Sequence, residues 1–275
     1  MENLNNFIGT RHSIKPKGED KESEFKGISE KGVELSKERA EEVFEMINNS
    51  APGTVMFFGG ASDQIRTKST SEVYCDEVKR IAAKKSSDIL VINHSDIADA
   101  SVGYTKIVND VIEKIKSDPD KKVFVEFPMF IKEFALGNGK FLDESGNLTN
   151  FTKKILEVGK TEEGALKKWI EGGGVIDDME GPKPEDVAKD HIKGIKRLAE
   201  FVNKNLGSTR PVVIGFVGHS WTLDVLAIYL ANDGKVDIDG LEKVGGQMIK
   251  ETQPIEIRID GNQTIMRYNN QEFQL

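Results

Sequence analysis

Cysteine is nearly missing from this chain: Cys75 stands alone among 275 residues. No internal disulfide can form, and no cysteine pair offers a zinc knuckle, so a reducing compartment is the simplest setting and the cytoplasm is the expected location. Long apolar runs are missing too, since Val212 to Val217 and Val225 to Leu230 fall far short of the roughly 20 residues needed to cross a bilayer. Met1 to Asn6 is polar and short and shows no basic-then-apolar leader, so no export signal is expected. A basic excess is lacking as well: Lys+Arg at 38 against Asp+Glu at 46 gives a formal charge of -8, which argues against grip on a nucleic-acid backbone or an anionic membrane. Any anion must be held in a local positive pocket.

With 37% hydrophobic and 31% charged side chains, the chain can bury a sizeable core. Short apolar runs alternate with charged segments whose apolar residues return every three or four positions, the pattern of strands interleaved with amphipathic helices. Strands are expected at Phe7 to Thr10, Thr54 to Phe58, Ile89 to Ile92, Val123 to Phe127 and Val212 to Val217, each nearly continuously apolar as in a sheet covered on both faces. Helices are expected at about Glu30 to Asn48, Thr70 to Lys84, Tyr104 to Lys116, Glu185 to Lys204 and Trp221 to Leu230, with Ser29 capping the first and Pro184 opening the fourth. Ile255 to Ile259 alternates strictly, Asp260-Gly261-Asn262 reads as a turn, and Thr264 to Tyr268 is again extended, which makes a β-hairpin. From Pro128 to Pro182 the periodicity weakens and glycine accumulates at Gly137-Asn138-Gly139 and Gly172-Gly173-Gly174, so residues 128–182 read as a helical insertion or lid. The expectation is one domain over 1–275: a three-layer α/β/α sandwich with a mostly parallel central sheet, a helical insertion and a C-terminal hairpin. The charged stretch Lys15 to Lys26 reads as a solvated loop.

Four histidines exist, and two stand where a strand ends and a loop or helix begins: His12 and His219. In open α/β sheets ligands collect at that edge. His191 sits in a charged helical stretch and is expected at the surface or rim, and His94 ends a strand as a lesser candidate. Gly218-His219-Ser220-Trp221-Thr222 imitates a nucleophile elbow, but Thr222 replaces its last glycine and no histidine comes after Ser220. Gly59-Gly60 lacks the third spaced glycine of a dinucleotide fingerprint, and Gly137-Asn138-Gly139-Lys140 lacks the Ser or Thr of a P-loop. Arg11-His12 after the first strand, Arg66 after the second and His219 after a late one form a more coherent set. Guanidinium forks suit phosphoryl oxygens, and imidazole can donate to one or attack phosphorus.

In these motifs and their order the chain resembles the histidine phosphatase superfamily, the phosphoglycerate-mutase-like group. Arg11-His12-Ser13 stands for its Arg-His-Gly, Ile28-Ser29-Glu30-Lys31-Gly32 for its helix start, Ser62 to Thr70 for its Ser-x-x-x-Arg-x-x-x-Thr, and Val212 to His219 for its late strand ending in histidine. The match covers roughly residues 7 to 84 and 183 to 232 and leaves the middle unmatched. Ser13 departs from the family's glycine, and Ser220 stands where the phytase-like branch has its acid. The resemblance implies a metal-independent phosphomonoesterase using a phosphohistidine on His12, with Arg11, Arg66, Ser13 and Ser62 binding the phosphoryl group and His219 completing the site. It implies Glu126 as proton donor, with Asp96 and Glu133 as alternatives. The substrate would be a phosphorylated small molecule or a phosphoprotein, with no cofactor, metal, nucleic acid or membrane, and the oligomeric state is open. A phosphomutase of the same group, or a phosphate-binding module without turnover, shares these residues.

Overall fold

The computed structural model describes residues 6–18, 20–93, 104–127, 131–136, 140–206, 210–260 and 263–275. His94, Asp96 and Gly137-Asn138-Gly139 lie outside them. Ten strands and eight α-helices are found among the described residues: β1 (Asn6–Arg11), α1 (Glu30–Asn48), β2 (Val55–Gly60), α2 (Ile65–Lys84), β3 (Leu90–Asn93), α3 (Tyr104–Lys116), β4 (Val123–Glu126), α4 (Asn150–Gly159), α5 (Glu162–Glu171), β5 (Val175–Ile176), β6 (Met179–Glu180), α6 (Pro184–Leu206), β7 (Val212–Gly218), α7 (Ser220–Ala231), α8 (Ile238–Lys243), β8 (Pro254–Asp260), β9 (Gln263–Tyr268) and β10 (Gln271–Gln274).

Eight strands form one sheet in the order β10-β9-β8-β1-β7-β2-β4-β3. The five from β1 to β3 run parallel, and β8, β9 and β10 add an antiparallel meander beside β1. Period-2 alternation sends Met56, Phe58 and Phe124 to one face, where they meet Phe44 and Ile47 of α1 and Tyr74 and Val78 of α2. Val55, Phe57 and Val125 point the other way, into a larger core with Ile112, Leu198, Leu226 and Trp169. The result is a three-layer α/β/α sandwich with a mostly parallel sheet.

Ser29 caps α1, its hydroxyl accepting the Gly32 N–H at 3.1 Å, and Pro184 opens α6 where a missing N–H costs nothing. Helix α2 starts at Ile65, a turn and a half before the expected Thr70, so Arg66 lies in its first turn. Gly60 makes that close turn possible, since a Cβ there would sit 2.5 Å from the Lys68 amide nitrogen. The hairpin is extended by a third strand, β10, through Asn269 and Asn270, both at positive φ (48° and 62°) as a tight strand reversal requires. Between residues 131 and 182, a short 3-10 turn (Lys132–Phe134), α4, α5 and the small β5-β6 ribbon are formed. No described helix is long and apolar enough to cross a membrane.

Candidate active site

The carboxyl ends of three adjacent strands converge. Arg11 pairs with Gly218, the His12 amide donates to the Gly218 carbonyl (2.9 Å), and the Ala61 amide donates to the Val217 carbonyl (3.1 Å). Residues 12, 219 and 62–66, far apart in the chain, leave the sheet at one point. The rings of His12 and His219 lie 5.2 Å apart, edge to face. Arg11, His12, Arg66 and His219 line one cavity of about 150 Å³ with Lys15, Glu162 and Ser220.

The ring nitrogens can be assigned from their partners. His12 Nδ1 lies 2.7 Å from the Ser13 carbonyl oxygen, which can only accept, so Nδ1 carries the proton and Nε2 keeps its lone pair. Burial, and then the charge of Arg66, hold the His12 pKa well below the ordinary imidazole value, so the ring is neutral at physiological pH. Arg66 Nη2 approaches His219 Nδ1 at 3.4 Å, and a guanidinium can only donate. His219 Nε2–H therefore donates to Ser62 Oγ (2.7 Å), and Ser62 donates to Asp63 Oδ1 (3.1 Å). His219 is also held neutral, by burial first and by Arg66 second.

The guanidinium of Arg11 is buried and fixed from three sides. It donates to the Ile249 carbonyl (2.8 Å) and ion-pairs with Glu162 (3.0 Å) and Glu251 (3.1 Å). Glu162 in turn accepts from Lys15 Nζ at 3.3 Å. Burial alone would raise the Glu162 pKa, but Lys15 and Arg11 outweigh it and hold the carboxyl below its ordinary value. This residue opens α5 after the Thr161 cap, and no motif in the sequence singles it out.

Two expected site residues are placed elsewhere. Glu126 shares strand parity with Phe124, so its side chain turns to the α1–α2 face and accepts from Ser71 Oγ at 3.1 Å, away from the cavity. Ser13 is fully buried, and its Oγ donates to the Gly32 carbonyl at 2.6 Å, tying the loop to α1. Ser62 meets His219 and is not itself among the cavity residues. Glu133, an alternative acid, is buried against α6 with Arg197 Nη1 at 2.6 Å. His191 is not at the surface: it packs on Phe134 at 4.8 Å, and burial lowers its pKa to about 4.

Behind Arg11 lies Asp224, wholly buried on α7. It accepts from the Ile249 N–H (2.9 Å) and the Tyr268 hydroxyl, while Oδ2 has no hydrogen-bond partner among the described residues. Burial pushes its pKa up to about 7. The folded state thus holds a proton that the unfolded chain releases near pH 4, so this group's stabilising contribution is complete below pH 4 and is lost as pH rises through 7. In Asp224→Asn the contribution is absent. Denaturant unfolding from pH 4 to pH 8 should show the wild type losing up to about 4 kcal/mol relative to the variant; parallel pH curves would refute the assignment.

A second cavity, about 520 Å³, is lined by Phe57, Val111, Ile112, Phe127 and Phe201, with Lys132 and Arg197 among its other residues. No nucleophile or carboxylate is among its lining residues, so its size does not make it the seat of chemistry. No cluster that could hold a metal occurs among the described residues.

No protein-family model matches the chain, and no curated protein matches it. Among solved structures it is similar to the mycobacterial glucosyl-3-phosphoglycerate phosphatase, with 15% identity over 96% of this chain and 97% of that one and a TM-score of 0.46. It is also similar to the product of an open reading frame of Mycobacterium tuberculosis (9% identity, 96% and 95% covered, TM-score 0.44). A third is phosphoglycerate mutase from Plasmodium falciparum (10% identity, 98% and 97% covered, TM-score 0.34).

Proposed function

We propose that this chain is a phosphomonoesterase working through a phosphohistidine, in the manner of the histidine phosphatase superfamily that its motifs resemble. The observation that carries the reading is the convergence of two imidazoles 5.2 Å apart and two arginines on one cavity at the carboxyl edge of the sheet. A neutral imidazole whose Nδ1–H is held by a carbonyl presents its Nε2 lone pair as a nucleophile. Nε2 attacks phosphorus in line, the N–P bond forms and the ester P–O bond breaks. Arg11 and Arg66 serve the equatorial oxygens, where negative charge spreads in the transition state, and His219 holds Arg66 through Nδ1. The two guanidiniums supply the charge stabilisation, and the mechanism calls for no metal.

Glu162 is the carboxylate at the cavity, and we assign it the proton transfers. A bound dianion opposes its ionisation, so substrate raises the pKa that Lys15 and Arg11 depress in the empty site. Protonated, it gives its proton to the departing alkoxide; as carboxylate, it takes one from the water that attacks phosphorus. The N–P electron pair then returns to His12 and phosphate leaves. The substrate is a phosphorylated small molecule; a phosphomutase shares these residues, and release of inorganic phosphate rather than transfer to an added alcohol is the outcome that separates the two. Quenching the protein in alkali, where a phosphohistidine P–N bond survives, after mixing with phenyl phosphate and then mapping by mass spectrometry should find phosphate on His12. A burst of product with no phosphorylated His12 peptide under alkaline work-up would overturn the reading.

A further inference from the structure

The cavity has two unlike halves. One part of its lining is charged (Arg11, Lys15, Arg66 and Glu162), and the other is apolar: Leu136, Phe141, Leu142, Leu148, Leu156 and Trp221. Resting on the phosphatase reading above, we propose that the alcohol released is apolar: the substrate is a short alkyl or aryl phosphomonoester rather than a sugar or polyol phosphate.

Of the polar groups beside that wall, those of Trp221, Thr152, Lys15 and Glu162 are already engaged, and the Ser220 hydroxyl is the exception among the described residues. Trp221 Nε1–H donates to the Glu162 carbonyl (3.1 Å), which leaves the indole its carbon faces. The ring is fixed by Phe141 at 5.6 Å, edge on, and by Trp169 at 5.9 Å with planes 28° apart. The Thr152 hydroxyl donates to the Phe141 carbonyl (2.9 Å) and contacts Thr149 Oγ1 at 2.8 Å. Lys15 and Glu162 are paired with each other, and Glu162 also with Arg11. A sugar hydroxyl pressed on this surface gives up water and meets carbon, whereas each methylene placed there gains. At the lip, Leu148 remains 39% exposed, a large apolar side chain facing solvent that an apolar leaving group would cover. In size the space, about 150 Å³ for phosphoryl and leaving group together, suits only a small group.

The test is kcat/KM of the full-length enzyme for methyl, ethyl, propyl and butyl phosphate, phenyl phosphate, glycerol 3-phosphate and glucose 6-phosphate. The expected gain is about fourfold per methylene through the series. Propyl phosphate should exceed glycerol 3-phosphate, which has the same carbon skeleton, by about tenfold or more, although glycerol is the better leaving group. Leu148→Ser, at a partly exposed position that the fold tolerates, should lower the butyl-to-methyl ratio about threefold or more. Turnover that needs His12 but favours glycerol 3-phosphate or glucose 6-phosphate overturns this proposal and leaves the phosphatase reading standing. If no ester is hydrolysed faster by wild type than by His12→Ala, both fall together.

Discussion

His12→Ala lowers the turnover of phenyl phosphate by roughly 10⁴-fold or more, the scale seen when a covalent nucleophile is removed. Alanine leaves the guanidiniums intact, so phosphate still binds, but no lone pair faces phosphorus. Water in the vacated space is a weaker nucleophile than the imidazole whose free nitrogen the Ser13 carbonyl aims. The loss should therefore appear in kcat, with KM changing by less than about tenfold. His219→Ala separates the two imidazoles: His219 Nε2 is tied to Ser62 and Nδ1 to Arg66, so it holds a guanidinium in place rather than attacks, and its removal should cost roughly 10²-fold to 10³-fold. Initial rates with far-ultraviolet circular dichroism as a folding control decide the matter. Comparable losses for the two variants, or a His12→Ala rate near wild type, would strip His12 of the nucleophile's role.

The four residues that converge on the cavity were readable because three stand at a strand end and Arg66 opens the helix after one, and parallel strands with both faces covered announce themselves as short apolar runs. Arg11, His12, Arg66 and His219 needed no knowledge of the middle of the chain. What failed to read was direction. Glu126 ends a strand at the right edge, but its parity matches Phe124, and a one-residue difference in a period of two decides which face a side chain takes. Ser13 comes after His12 on the same turn, yet its hydroxyl found the Gly32 carbonyl before any ligand. The early start of α2 was hidden because Thr67, Ser69, Thr70 and Ser71 are buried there in place of alkyl side chains, so the apolar period is silent over the first turns.

Glu162 escaped the sequence for a different reason. Thr161-Glu162-Glu163 is a legible helix start, with the Thr161 hydroxyl accepting the Gly164 N–H at 2.9 Å. Nothing local says that this start comes to rest on Arg11, 151 residues away. That contact depends on α4 and α5 folding back over the sheet edge through Phe141, Trp169 and Trp221. Aromatic packing of this kind is set by shape across distant segments, and no spacing rule carries it. For His191 the period alone holds the signal: with Val187, Ile195 and Leu198 it sits on the buried stripe of α6, and its charge-rich neighbours obscured that.

Glu162→Gln should produce two changes of opposite sign. Proton donation to a poor leaving group is lost, so kcat for butyl phosphate falls roughly 10²-fold to 10³-fold, while p-nitrophenyl phosphate, whose leaving group needs no proton, loses less than about tenfold. At the same time a charge that holds Arg11 at 3.0 Å and Lys15 at 3.3 Å disappears. Both cations become more available to an incoming dianion, so inorganic phosphate should inhibit the variant several-fold more tightly than the wild type. A residue that merely braced α5 against the cavity would, when replaced, weaken phosphate binding and slow both esters alike. Steady-state rates on the two esters, with phosphate as competitive inhibitor in the same assay, separate the cases: uniform slowing with looser phosphate binding would remove Glu162 from the chemistry and leave the proton donor unassigned among the described residues.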